Sequence, residues 1–205
     1  MLESLISEQS HHYRKGETIY HEGTSSFGIY LIKQGHVKIF TNGIEGKEHI
    51  LRLATGGDIL GHRSLFKCKM NLESAKALED TECYFVEHKT IEDLFIKNPE
   101  LAIDTLLRLS HELDEALNRN SVLVKKNVRE RMAEYFLTMD KLYGENHCIR
   151  LHLSREEIAS MIGTANETAI RVISDFKEQG LITEIDKTFY LKDTEKLKLI
   201  ADLSE

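Results

Sequence analysis

Three side chains at fixed spacing carry the most specific chemistry in this chain: Asn166, Glu167 and Arg171. Glu167 and Arg171 stand at i and i+4, so on a helix they share a face. An arginine can donate to both major-groove acceptors of guanine. A glutamate can accept from the cytosine amino group, and an asparagine can pair with adenine. Residues in the N-terminal half of a helix laid in the major groove are the ones that meet base edges. The same pair on an ordinary amphipathic helix is a surface salt bridge, so the flanking elements decide between the two readings.

Those elements are well marked. The stretch LSREEIASMIGTANETAIRVISDFKEQGLI, residues 153–182, reads as two short capped helices around a tight turn. Ser154 with Glu157 fits a capping box, and Thr164 with Glu167 fits a second one. Gly163 supplies the permissive backbone of a sharp turn, and Gly180 fits the residue that ends a helix. Ala169, Ile170, Val172, Ile173 and Phe176 are expected to pack against Ile158, Ala159 and Ile162. Glu167 is placed to serve both as cap and as base reader. Leu181–Ile185 and Thr188–Leu191, around Asp186-Lys187, predict a hairpin wing that could lie along a DNA backbone through Lys187. Capped helices around a glycine turn favour a DNA-reading helix-turn-helix.

The whole chain bounds this reading. Its 205 residues allow one large or two modest domains, and 41% apolar content is enough for packed cores. No apolar run approaches the roughly 20 residues of a membrane span, and the N-terminus lacks the basic-then-apolar layout of a signal peptide. Cys68, Cys83 and Cys148 are dispersed and odd in number, which argues against a disulfide framework or paired-cysteine metal site and fits a reducing cytoplasm. The net charge of −7 excludes a general nucleic-acid coat protein. From Asn146 onward carboxylates still outnumber Lys and Arg. Phosphate neutralisation drives most non-specific affinity, so random DNA should bind weakly and specific contacts must do more.

Three segments follow one another. From about Tyr13 to Glu87 the chain looks all-β, with short runs at Thr18–Tyr20, Ile29–Ile32, His36–Phe40, His49–Leu53 and Cys83–Val86 separated by glycines. Asn42-Gly43 is a hairpin signal. Many short strands at regular spacing predict a barrel, roll or jelly roll. From Thr90 through Met139 the pattern is helical, with one Pro (Pro99) and no Gly. Leu106, Leu109, Leu113, Ala116, Asn120 and Leu123 fall at coiled-coil core spacing, with Asn120 and Asn127 at equivalent positions. A buried Asn can fix the register of a dimer by pairing with its twin. The alternatives are a helix lying on the β-domain with its asparagines in solvent, or a register through Leu117 and Val124. The last segment, from about Arg129, holds the helix-turn-helix.

Taken in order, these motifs resemble the CRP/FNR family of bacterial transcription regulators over nearly the whole chain. GETIYHEGTSSFGIYLIKQGHVKIF (residues 16–40) is similar to the family's glycine-spaced entry into a cyclic-nucleotide-binding β-roll, and GGDILGHRSLF (residues 56–66) to its phosphate-binding loop. Val128-Arg129-Glu130-Arg131-Met132-Ala133 matches the opening of the DNA-binding domain, and ETAIR (residues 167–171) the core of the recognition helix. The resemblance implies that Glu167 and Arg171 read bases and that Asn166 is a variable base-reading position. It implies that Arg155 and Thr168 touch phosphate or flanking bases, and that Thr164 begins the helix where its N–H groups can meet a phosphate.

The sensor loop departs from the family. Where the cyclic-AMP binders carry G-E-x-x-L-F, this chain has Gly61-His62-Arg63-Ser64-Leu65-Phe66. Where they carry R-S, it has Glu73-Ser74, and the paired hydroxyl residues that greet adenine fall at Ala116-Leu117. A carboxylate repels a cyclic phosphate, and of the nearby cations Arg52, Arg63 and Lys76 none sits at the matching position. Cyclic AMP is therefore disfavoured as effector. The family's iron–sulfur branch needs an N-terminal cysteine group, which this chain lacks. Most of the ten histidines, His11-His12 and His49 included, read as surface residues, and no metal site is assigned. Haem stays open, with His62 the best single candidate because the glycine loop would set it at the pocket mouth.

The expectation is an α+β protein: an N-terminal β-roll (double-stranded, jelly-roll-like) as effector sensor over 1–96, a long dimerisation helix over 97–127, and a C-terminal winged helix-turn-helix over 128–205. No enzyme constellation is present: there is no nucleophile elbow, P-loop, zinc-protease helix or dinucleotide fingerprint. The expected function is a cytoplasmic, homodimeric, sequence-specific transcription regulator on a palindromic double-stranded operator, either controlled by a small-molecule effector other than cyclic AMP or working without one. The family implies contact with RNA polymerase, and no membrane is involved. The alternative is a small-molecule-binding module acting through protein contacts, as the acidic C-terminal region suggests.

Overall fold

The computed structural model describes residues 10–43, 46–66 and 69–202. The chain divides into two compact units, one running to His111 and one from Glu112 onward.

The described residues of the first unit form eight strands: β1 (Ser10–Tyr13), β2 (Thr18–Tyr20), β3 (Gly28–Gln34), β4 (His36–Asn42), β5 (Glu48–Thr55), β6 (Ile59–Leu60), β7 (Ser74–Ala77) and β8 (Thr81–Glu87). They form two four-stranded antiparallel sheets, β1-β8-β3-β6 and β2-β7-β4-β5. Alternation of side chains along each strand turns one set inward. Ile32, Leu60 and Cys83 of one sheet meet Ile19, Tyr20, Val37, Ile39, Ala54 and Ala75 of the other in a single core. The outer face of the first sheet is covered by α1 (Arg63–Phe66) and α2 (His88–Lys97): Leu65, Ile91, Leu94 and Phe95 pack with Ile29, Ile59 and Val86. This is the jelly-roll-like expectation, with β1, β6 and β7 added to the strands legible in the sequence. The Asn42-Gly43 signal does join two paired strands, but Asn42 pairs with Glu48 rather than across a two-residue turn. Gly43 N–H donates to the Lys47 carbonyl at 2.8 Å, closing a longer loop.

The helical segment is broken twice. α2 stops at Asn98, before Pro99, because proline disfavours helical backbone in the residue before it. α3 (Pro99–Lys125) is the long helix expected from the leucine spacing. Asn127 then caps α4 (Val128–Tyr143) in a capping box with Glu130. That corrects the coiled-coil placement of Asn127: its side chain bonds backbone N–H groups of the next helix. Asn120 is exposed, as are Leu106, Leu113, Leu117 and Val124. Among the described residues, no helix is long and apolar enough to cross a membrane.

The second unit contains α4, α5 (Arg155–Ile162), α6 (Asn166–Glu178), α7 (Thr194–Ile200) and a small sheet ordered β11-β12-β10-β9. Its strands are β9 (Gly144–Glu145), β10 (Cys148–Ile149), β11 (Ile182–Ile185) and β12 (Thr188–Leu191). Phe136 centres the core, 5.0 Å from the Phe189 ring and 6.4 Å from Phe176. The expected wing is present: Ile185 pairs with Thr188 across Asp186 and Lys187, whose φ values of 49° and 64° fit a two-residue hairpin turn.

Candidate functional site

The helix-turn-helix is set by local closures. Ser154 and Glu157 make the expected capping box at the start of α5. α5 ends where Gly163 turns left-handed at φ 67°. Its N–H reaches the Ser160 carbonyl at 3.2 Å, and the N–H of Thr164 reaches Ala159 at 3.0 Å. These are the paired bonds of a Schellman closure. Gly180 closes α6 in the same way, with Leu181 N–H on the Phe176 carbonyl at 2.9 Å.

The second capping box does not form. Ala165 is the residue preceding α6, it makes no side-chain cap, and the first helical residue is Asn166. Thr164 is drawn into the closure of α5, so it stands two residues before α6 rather than at its start. The unfilled cap leaves N–H groups at this helix end open to an outside acceptor.

Arg131 fixes the turn from behind. Its guanidinium donates to the carbonyls of Ile162 at 2.8 Å, Lys126 at 2.6 Å and Gly163 at 3.1 Å. One side chain thus satisfies C-terminal carbonyls after α3 and α5. In the sequence Arg131 is marked only as part of the Val128–Ala133 stretch; its carbonyl partners at 162 and 163 are distant in sequence.

On α6, Ala169, Val172, Ile173 and Phe176 are buried, as the apolar spacing predicts. Ile170 is not: it is 43% exposed. It stands with Asn166, Glu167 and Arg171 on the solvent side, which corrects its assignment to the core. Its place three residues after Glu167 was the available signal. An apolar side chain there suits the methyl group of thymine. Among the described residues Glu167 and Arg171 make no ion pair or side-chain hydrogen bond. Thr168 is half-buried beside them. Arg155, at the first position of α5, lies over the Phe189 ring at 4.9 Å and donates from Nη2 to both oxygens of Glu184, at 2.7 and 2.6 Å.

In the loop that resembles the family's phosphate-binding loop, the charged residues find partners that the sequence does not mark. Arg63 Nη1 lies 2.7 Å from Glu73 Oε2, so the buried carboxylate has a cation after all. His62 is buried and its Nδ1 is 3.1 Å from the Ile59 carbonyl. Arg52 donates to the same carbonyl at 3.3 Å. Lys76 pairs with Glu48 instead of with Glu73.

The loop's hydroxyls are also engaged. Ser64 Oγ donates to the Gly61 carbonyl at 2.6 Å and lies 2.7 Å from Ser26 Oγ, with His88 Nε2 at 3.4 Å. Gly61 holds this turn at φ 74°. Ser74 Oγ accepts from the Glu22 N–H at 2.9 Å. Burial first, then Lys69, holds the His88 imidazole below its ordinary value, with Glu92 and the Gly28 backbone opposing. Tyr20 Oη is buried without a hydrogen-bond partner among the described residues, and burial, then the nearby Glu73, pushes that phenol up. Arg63 engages Glu73 through Nη1.

Cys83 and Cys148 are free, and Cys68 lies outside the described residues. Among the described residues no cluster of three His, Cys, Asp or Glu could hold a metal ion.

Comparison with known proteins agrees with both halves. The family model for the cyclic nucleotide-binding domain matches residues 10–98, and that for the Crp-like helix-turn-helix domain matches residues 130–200. The chain is 26% identical over 189 residues to a CRP-like cAMP-activated global transcriptional regulator of Mycobacterium tuberculosis, covering 90% of this chain and 84% of that protein. It is 24% identical over 200 residues to the fumarate and nitrate reduction regulatory protein of Escherichia coli, covering 96% and 80%. A CRP/FNR-family transcriptional regulator of Thermus thermophilus superposes with a TM-score of 0.80 at 25% identity, over 95% of this chain and 98% of that one. FixK2 of Bradyrhizobium japonicum shares the fold at a TM-score of 0.84 and 24% identity, covering 94% and 96%. With the β-roll and the helix-turn-helix each matched in this order along one chain, the protein belongs to the CRP/FNR family of transcription regulators.

Proposed function

We propose that this regulator acts as a cytoplasmic homodimer that binds a palindromic operator in double-stranded DNA. In this reading Asn166, Glu167, Ile170 and Arg171 meet base edges, while Thr164 and Thr168 meet phosphates or flanking bases. The observation that carries it is the exposed, unpaired Glu167–Arg171 face at the N-terminal half of α6. The family's members are DNA-binding regulators rather than enzymes.

The dimer forms through α3, whose Leu106, Leu113 and Leu117 are exposed in the single chain. Pairing two copies buries that surface and sets the two recognition helices one DNA turn apart. An effector that favours one arrangement of the paired helices then shifts the population able to bind. Contact with RNA polymerase follows by likeness to the family.

Cyclic AMP is disfavoured as an effector in this reading, and the protein either senses another small molecule or works without one. Glu73 is buried and Arg63 is committed to it, so a cyclic phosphate entering here gains no new cation. Selection of operators from a library of random palindromes tests the DNA reading. Recovery of a consensus that wild type binds at least 100-fold tighter than random duplex supports it, and failure to enrich any sequence overturns it.

A further inference from the structure

Away from the reading face, one carboxylate gathers two cations. Glu184 on β11 accepts from Arg155 on both oxygens, at 2.7 and 2.6 Å, and also pairs with Lys177 near the end of α6. Its side chain is 17% exposed. Burial alone would push the Glu184 carboxyl up. Hydrogen bonds from Lys177 and Arg155 outweigh burial and hold it below the usual carboxylate range.

Arg155 opens α5, and the first helix of a helix-turn-helix is the one that crosses the phosphate backbone. A carboxylate offers a guanidinium what a phosphate offers, two anionic oxygens in one plane. The two anions therefore compete for the same donors. The second unit has little other positive charge to spend: residues 128–202 hold 11 Lys and Arg against 14 Asp and Glu.

We infer that Glu184 is an electrostatic governor of DNA affinity, because it occupies Arg155 and a phosphate reaches that guanidinium only by displacing or sharing with a carboxylate. The inference rests on the DNA-binding reading. Replacing Glu184 by Gln raises the charge of the Arg155, Lys177 and Glu184 cluster by one at nearly constant shape. Phosphate contacts carry no sequence information, so the effect falls equally on all sequences. Glu167, Ile170 and Arg171 are untouched.

The test compares full-length wild type, Glu184→Gln, Arg155→Gln, the double variant and Glu195→Gln, a control carboxylate on α7. Affinity for a selected operator and for random duplex is followed by fluorescence anisotropy across salt concentration. Glu184→Gln should tighten both duplexes by about 5- to 10-fold at low salt and steepen the salt slope by about one per protomer. Glu195→Gln should change neither, and adding Arg155→Gln should cancel the gain. Arg155→Gln alone should cost less than about 2-fold, since that cation is already engaged.

The inference is overturned if a folded Glu184→Gln protein keeps the wild-type affinity and slope, or if it binds more weakly, which would make Glu184 a positioning residue for Arg155. It is also overturned if the gain survives loss of Arg155, or if Glu195→Gln reproduces it. Should Glu184→Gln fail to fold, Arg155→Gln decides: a tenfold loss with a shallower slope contradicts the inference. Wild type that binds neither duplex at low salt overturns the DNA reading itself.

Discussion

Arg63 and Glu73 close an ion pair, Nη1 to Oε2 at 2.7 Å, in which the carboxylate side chain is 6% exposed and the guanidinium 47%. The asymmetry matters because the buried partner depends on the exposed one. Removing Arg63 leaves a buried carboxylate without this cation, which costs more than the pair itself contributes. Arg63→Ala is expected to lower stability by about 1–3 kcal/mol, read from urea unfolding with Arg63→Lys as a milder companion. Equal midpoints for wild type and Arg63→Ala would refute it.

The same pair bears on the effector. Titration calorimetry with cyclic AMP is expected to give no dissociation constant in the low micromolar range. With Arg63 committed to Glu73, a cyclic phosphate lacks an attractive charge contact here, a cost on the order of 1–3 kcal/mol, or about 5- to 150-fold in affinity. Tight cyclic AMP binding would show that Arg63 leaves Glu73 for the ligand.

On α6, Arg171→Ala is expected to lower operator affinity by about 1–3 kcal/mol and relax preference at one G·C pair per half-site. Binding of both proteins to a panel of single-base operator variants checks it. A uniform loss at every variant would instead assign Arg171 to phosphate.

Assembly through α3 predicts a dimer at micromolar concentration and half-sites roughly 34–36 Å apart. Leu113→Glu puts like charges at the centre of the exposed stripe and should shift the protein towards monomer in sedimentation. A wild-type monomer both with and without DNA would contradict the dimer.

Gly163 combines φ 67° with a close neighbour: a Cβ there would lie 2.6 Å from Leu123 Cδ2. Gly163→Ala is expected to cost about 1–2 kcal/mol, because an L-residue pays for left-handed backbone and Leu123 must move as well. Chemical denaturation checks this, and no loss would mean that the turn rearranges freely.

Acid sensitivity should include a component from His88. Its folded pKa lies below the ordinary value, so between the two the unfolded chain binds the extra proton. Stability is then full above about pH 6.5 and falls as pH drops from there through the folded pKa. His88→Gln should flatten that part of the pH profile while leaving the carboxylate-driven loss at lower pH. A profile unchanged by the substitution would remove His88 from the account.

Much of the DNA-binding half was legible because its signals are local. The Ser154–Glu157 cap, the left-handed Gly163 and Gly180, the Asp186-Lys187 turn and the shared face of Glu167 and Arg171 all depend on neighbours within a few residues. The alternating strands of the roll likewise follow from a period of two. Where two local signals overlapped, only the folded chain chose. Thr164 could cap α6 or help to close α5, and with Gly163 left-handed its N–H meets the Ala159 carbonyl, so the cap passes to Ala165. Asn127 shows the same competition, between a helix core position and a helix start.

Contacts between distant residues were settled by tertiary structure alone. Arg63 meets Glu73, Arg155 meets Glu184, Arg131 gathers the Ile162 and Gly163 carbonyls, and Ser26, Ser64 and His88 converge. Their partners are fixed by strand register and by the packing of one element on another. The charge of a long side chain is legible in the sequence, but whether that charge is free for a ligand or spent on a neighbour depends on which groups the fold brings within hydrogen-bond reach.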